Sequence, residues 1–163
     1  MTEFMLVSTE QQMELVEKLA REIFHEHYDT YMDPNHVEFY LEKYQTAKVI
    51  EKQLKKNFEY HLIVSNKKTV GYLALEQLKD SLRISKLYIL KEYRNKKFGA
   101  DAMGFAENIA RKMQYPEIDL YVNERNNKGS RFYKSIGFEE CGCMTHSYEN
   151  GHTEVDILMA KAI

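Results

Sequence analysis

The stretch Leu82–Ala100, LRISKLYILKEYRNKKFGA, decides the fold. In its first half Leu82, Ile84, Tyr88 and Leu90 alternate with other residues, which predicts a strand. Its second half turns polar and basic, with Arg94, Lys96 and Lys97 ahead of Gly99. From Ala100 to Gln114, Ala102, Ala106, Ile109 and Met113 recur every three or four residues, the mark of a helix with one buried face. Pro116 helps end that helix, and Ile118–Val122, IDLYV, is strand-like again. A strand, a helix and a strand in this order predict parallel neighbours joined by a right-handed crossover.

Upstream lies an antiparallel meander. Tyr60–Ser65 (YHLIVS) and Thr69–Leu75 (TVGYLAL) flank a turn at Asn66-Lys67-Lys68, and Lys79-Asp80 turns into the long strand. Gly71, inside a strand, marks a bulge or a close backbone approach. The first third is helical after a short strand at Phe4–Ser8. Thr9 caps a helix carrying Leu15, Val16, Leu19 and Ile23, and further apolar faces follow at Val37, Tyr40, Leu41, Tyr44 and at Val49, Ile50, Leu54. Downstream, Asn126–Ser135 is a helix ended by Gly137, and Glu139–Tyr148 and Thr153–Ala160 are strands joined at Asn150-Gly151. The expectation is one α/β domain over residues 1–163. Its sheet is mixed and mostly antiparallel, with about seven strands flanked by helices.

Composition narrows the function. A chain of 163 residues reads as one domain. Its net charge of -2 gives no support for nucleic-acid or anionic-membrane partners. Cys141 and Cys143 share one strand face and make a poor disulfide pair, which suggests a reducing compartment. The sequence shows no secretory leader pattern and no apolar run near the ~18 residues of a span, so a cytoplasmic protein is expected. His25-Glu26-His27 does not have the zincin spacing, and no metal is expected.

The basic turn sits where a helix begins. Free N–H groups and the positive end of the helix dipole point outward there, and a diphosphate is a natural ligand. Arg94, Lys96 and Lys97 add charge, and Gly99 leaves the backbone open. Taken alone, such a turn is more often just a solvated surface. A second stretch follows at Leu120–Phe138, LYVNERNNKGSRFYKSIGF. Taken singly, Asn126 reads as an N-cap, Tyr133 and Phe138 as core residues, and Gly137 as a helix end.

Together the two stretches resemble the GNAT superfamily of N-acetyltransferases. Its motif A is Gln/Arg-x-x-Gly-x-Gly/Ala, matched here by Arg94 to Gly99. Its later signature, Asn-x-x-Ala-x-x-aromatic-Tyr-x-x-x-Gly-Phe, falls on Asn126, Gly129, Phe132, Tyr133, Gly137 and Phe138. Lys97 stands at the first motif glycine, at a cost of about 1–2 kcal/mol if that backbone is left-handed. Gly129 replaces the usual alanine.

The resemblance implies a GNAT fold and acetyl transfer from acetyl-CoA to an amine. It implies that Arg94, Asn95, Lys96, Lys97, Phe98, Gly99 and Ala100 hold the diphosphate. Leu87, Tyr88 and Ile89 would line the acetyl and pantetheine arm, and Asn126 would hydrogen-bond the cofactor. Tyr133 would protonate the departing thiolate. Related enzymes often carry a carboxylate base on the strand before the loop. Here Ser85 and Lys86 stand in its place, so Glu76, on the preceding strand, becomes the candidate, with a solvated strand-end charge or a water chain as alternatives.

A looser resemblance, to bacterial Pai-type polyamine acetyltransferases, runs over most of the chain and includes the tail Asp156–Lys161. It implies spermidine or spermine as acceptor, with Tyr31, Asp33 and Glu38 of the aromatic, acidic first third as the contacts. Another small amine, a peptide N-terminus, and a non-catalytic acyl-CoA-binding sensor stay open. A homodimer is compatible with this reading.

Overall fold

The computed structural model describes residues 1–30 and 32–163. In chain order the elements are β1 (Thr2–Leu6), α1 (Glu10–Tyr28), α2 (Pro34–Tyr44), α3 (Ala47–Leu54), β2 (Phe58–Ser65), β3 (Lys68–Gln77) and β4 (Leu82–Ile89). After a 3₁₀ turn at Lys91–Tyr93 come α4 (Phe98–Lys112), β5 (Glu117–Asn123), α5 (Asn127–Ser135), β6 (Glu139–Ser147) and β7 (Thr153–Ala162). The strands form one sheet in the order β1-β2-β3-β4-β5-β7-β6, antiparallel except for the β4–β5 pair. This is the mixed α/β sheet that the sequence predicts.

The first strand ends earlier than its apolar run suggests. The Gln12 side chain accepts from the N–H groups of Ser8 and Thr9, while Thr9 Oγ1 accepts from Gln12 N–H. This capping box commits those residues to the start of α1. Two cores result. One packs Val16, Leu19, Ile23 and Phe24 of α1 and Val37 and Leu41 of α2 against Tyr60, Tyr72 and Ala74 of the sheet. The other packs Ala102, Met103, Ala106 and Ala110 of α4 against Leu73, Leu75, Ile118 and Leu120 on the opposite face. Among the described residues no helix is long and apolar enough to cross a membrane.

Two backbone features shape the middle of the sheet. A Cβ on Gly71 would stand 2.1 Å from the Tyr88 carbonyl oxygen, so β3 and β4 approach there as only glycine allows. Further down, Ala74 pairs with Lys86 and Leu75 with Ile84, leaving Ser85 as a bulge in β4. Below the bulge β4 and β5 pair only from Leu82–Ile84 to Ile118–Leu120. Arg83 donates to Asp119 from Nε at 2.8 Å and Ser81 Oγ donates at 3.0 Å, which pins that short paired end. Above Ile84 no pairing joins the two strands.

Candidate active site

The gap above Ile84 is a cleft of about 560 Å³. Its β4 wall is polar in a regular way. Leu90 N–H donates to Val70 O, so alternation turns the Tyr88 backbone toward β3 and the backbone N–H groups of Leu87 and Ile89 toward the cleft. Arg94 Nε donates to the Ile89 carbonyl at 3.0 Å, which ties the loop to that open side of the strand.

At the mouth of the cleft α4 begins. Asn95 (φ 63°) and Lys97 (φ 69°) are both left-handed. Such alternation curls successive N–H groups into an anion-binding concavity. Lys97 is the N-cap and makes no side-chain cap bond, so the first N–H groups of α4 keep their capacity for an acceptor. The left-handed backbone anticipated at Lys97 is therefore present, with its cost. Arg94, Asn95, Lys97, Phe98, Gly99 and Ala100 line the cleft. Lys96 does not; it is exposed, with Nζ 5.7 Å from the Tyr93 ring centre.

Gly99 has a packing role that the sequence did not reveal. A Cβ there would come 3.4 Å from Phe132 Cζ, so the start of α4 rests on the α5 ring. Asn126 caps α5 by accepting from Gly129 N–H at 2.9 Å and also lines the cleft. A Cβ on Gly129 would fall 2.5 Å from the Asn126 amide nitrogen, which accounts for glycine where alanine is usual. Tyr133 lines the same cleft, and burial pushes its phenol up to about 12. Its ring meets Phe138 edge-on, and among the described residues nothing hydrogen-bonds its hydroxyl. His27, at the end of α1, lines the cleft as well; burial first, then Arg94 and Lys128, lower it to about 4, so it is neutral.

A second cavity, of about 450 Å³, adjoins the cleft and shares Tyr28, Ser85, Lys86, Tyr88, Tyr121 and Asn123 with it. Phe24, Tyr40, Tyr44 and Tyr148 give it aromatic walls, and Glu76, Glu154 and Asp156 give it carboxylates. Lys86 points Nζ at the Tyr40 hydroxyl, 3.3 Å away, and burial lowers its pKa. Burial raises Asp156, whose Oδ2 lies 3.4 Å from His146 Nε2. Glu154 is buried and hydrogen-bonds the Asn123 amide and His152 Nε2.

His36, His152 and Glu154 bring potential metal-ligand atoms within 4.8 Å of one another. The two imidazoles stack at 3.6 Å and 15°, however, and parallel rings do not aim their in-plane lone pairs at one point. Asn150 also hydrogen-bonds His36 Nδ1 at 3.1 Å. The cluster acts as a clamp between α2 and the β6–β7 hairpin.

Residues 18–159 match the family model described as the acetyltransferase (GNAT) domain. The chain belongs to the GNAT acetyltransferase family. A curated relative, spermidine N(1)-acetyltransferase of Thermoplasma acidophilum, is 25% identical over 132 residues, covering 78% of this chain and 82% of that protein. The crystal structure of the PaiA N-acetyltransferase from Thermoplasma acidophilum in complex with coenzyme A superposes with a TM-score of 0.81 at 21% identity, over 100% of this chain and 99% of that one. The ribosomal-protein-S18-alanine N-acetyltransferase of Escherichia coli superposes at 0.75 with 14% identity, over 100% and 94%.

Leu87, Tyr88, Ile89, Asn126 and Tyr133 meet the loop residues in one cleft. Of the expected acceptor contacts, Asp33 and Glu38 stand apart from the second cavity. Asp33 accepts from Asn35 N–H at 2.8 Å and caps α2, as its place before Pro34 favours. Glu38 is held by Arg21 and His25. Neither lines the second cavity. Tyr31 lies outside the described residues. Glu76 does line that cavity, where its charge bears on both Arg83 and Lys86. The sequence reading missed Glu154, Asp156 and His146. Their signal was two acids at alternate positions of β7, on one face of a strand whose other face carries Ile157 and Met159 into the core.

Proposed function

We propose that this GNAT chain transfers the acetyl group of acetyl-CoA to a primary amine of a small flexible polycation of the spermidine and spermine class. The observation that carries this reading is the aromatic cavity with Glu76, Glu154 and Asp156, opening onto the cleft through shared walls. Aromatic faces favour cations and methylene chains alike, and carboxylates at separate points suit separated ammonium groups. The curated spermidine N(1)-acetyltransferase relative supports the same class.

Acetyl-CoA supplies the activated acetyl group when bound. The N–H groups at the start of α4, with Arg94 and Lys97, suit its diphosphate. The Leu87 and Ile89 N–H groups suit the pantetheine amides and the developing oxyanion. Tyr133, protonated at neutral pH, suits the role of proton donor to the thiolate. Glu154, buried without a Lys or Arg partner among the described residues, suits a substrate ammonium.

Thiol release from acetyl-CoA, followed with spermidine, spermine, a monoamine and an alanine-terminated peptide, tests this reading. The expected result is a kcat/KM for spermidine at least about tenfold above the monoamine, or 1.4 kcal/mol. Turnover of the peptide alone moves the acceptor class to protein N-termini. Acetyl-CoA binding without release in any arm makes the chain a sensor.

A further inference from the structure

We infer that His146 takes the proton from the attacking amine and that Asp156 orients its imidazole for the task. The inference rests on the acetyl-transfer reading and supplies the base that strand β4 lacks.

An alkylammonium ordinarily titrates near 10.4, so on the order of one amine in a thousand is neutral at pH 7. A base within reach of the bound amine is therefore worth having, and imidazole is the side chain whose charge changes near neutral pH. His146 lines the acceptor cavity and does not line the cofactor cleft. A proton leaving toward it departs on the side away from the thioester, while the lone pair faces the acetyl carbon. Asp156 Oδ2 lies 3.4 Å from His146 Nε2, close enough for the carboxylate charge to hold the ring beside it. Asp156 pairs across the sheet with Asn123, a residue of the wall shared by the two cavities, so the dyad stands beside the junction.

The other carboxylates of the cavity, which suit the ammonium groups of the substrate, also have partners of their own. Glu76 compensates Arg83 and Lys86. Glu154 is bound by Asn123 and His152. The ionisable groups around the dyad are Tyr148 beside the His146 ring, Glu154 opposite it in the hairpin, Glu124 near Asp156, and Tyr40 of α2, to which Lys86 donates at 3.3 Å.

The steps balance. The ammonium gives one proton to the His146 imidazole. The amine nitrogen bonds to the acetyl carbon as the carbon–sulfur bond breaks, and a second N–H proton leaves to water. Tyr133 protonates the sulfur and regains its proton from water. The net products are the amide, the thiol and one proton released through His146.

The test is the pH profile of spermidine acetylation for His146→Gln and Asp156→Asn, with His146→Asn in reserve should the glutamine fail to fold. At pH 7 His146→Gln should lower kcat/KM at least about tenfold, the low end for general-base catalysis. The deficit should shrink toward pH 10, where water has already deprotonated the amine. Asp156→Asn should show the same trend with a smaller loss. Calorimetric affinity for acetyl-CoA should stay unchanged. An equal loss at every pH, or no loss, overturns the assignment. Acetyl-CoA binding by the wild-type chain without turnover of any amine instead overturns the acetyl-transfer reading, and this inference falls with it.

Discussion

The Tyr28 hydroxyl lies 2.9 Å from the Tyr88 hydroxyl and ties the end of α1 to β4. Both rings stand in the wall shared by the two cavities. The bond therefore couples the helical first third of the chain to the strand that builds the cleft.

Double substitution measures that coupling. Tyr28→Phe and Tyr88→Phe should each cost about 1 kcal/mol, as for one net hydrogen bond. The double variant should fall short of the sum by about 0.5 kcal/mol or more. Strict additivity in urea unfolding would show that the bond contributes nothing in solution.

Lys97 holds a left-handed backbone, φ 69°, that a glycine would adopt without strain. Lys97→Gly should stabilise the chain by about 1 kcal/mol. In calorimetry that is a rise in Tm of about 2–4 °C for a chain of this size. The left-handed turn is what aims the loop N–H groups, so acetyl-CoA affinity should hold or improve although a positive charge is lost. A clear loss of affinity would show that the lysine side chain, and not the backbone, binds the anion.

Tyr133 separates mechanism from packing. Tyr133→Phe keeps the edge contact with Phe138 and removes a hydroxyl that nothing among the described residues bonds. Tm should stay within about a degree, since no protein hydrogen bond is lost. The value of kcat should fall at least about tenfold if the hydroxyl protonates the thiolate. A normal kcat, with chemistry shown to limit the rate, removes Tyr133 from the reaction.

Glu38 and His25 predict a pH window. The hydrogen bond from His25, ahead of that from Arg21, lowers Glu38 below its ordinary 4.5 despite some burial. The bond to Glu38, followed by that to Asp29, raises His25 above 6.5. The glutamate's contribution is complete above 4.5 and fades as pH falls through its lowered value. The histidine's contribution is complete below 6.5 and fades as pH rises through its raised value. Glu38→Gln should therefore cost most stability between pH 4.5 and 6.5 and less at pH 8, within the ~0–1 kcal/mol of partly exposed pairs. The KM for spermidine should not move. A raised KM would return Glu38 to the acceptor site.

The sequence by itself determined the sheet, its order of elements and the loop and helix start that line the cleft. Those features are local. A strand from Leu82, a turn at Arg94–Lys97 and a helix start at Phe98 are contiguous, and an anion site made of successive backbone N–H groups is written in consecutive residues. Periodicity also read the buried faces of α1 and α4, because one stripe of each packs on the sheet. The second cavity was decided only by the tertiary structure. Its walls come from α1, α2, β3, β4 and the β6–β7 hairpin, which are distant in the chain. Asp33 and Glu38 stand in the helical first third, but the helix cap and the pairing of Glu38 with Arg21 and His25 keep them off the cavity wall. Glu154 and Asp156 stood far away and were carried in by β7, which the sheet inserts between β5 and β6. A strand's spacing tells which side chains share a face. Only its neighbours in the sheet decide what that face encloses.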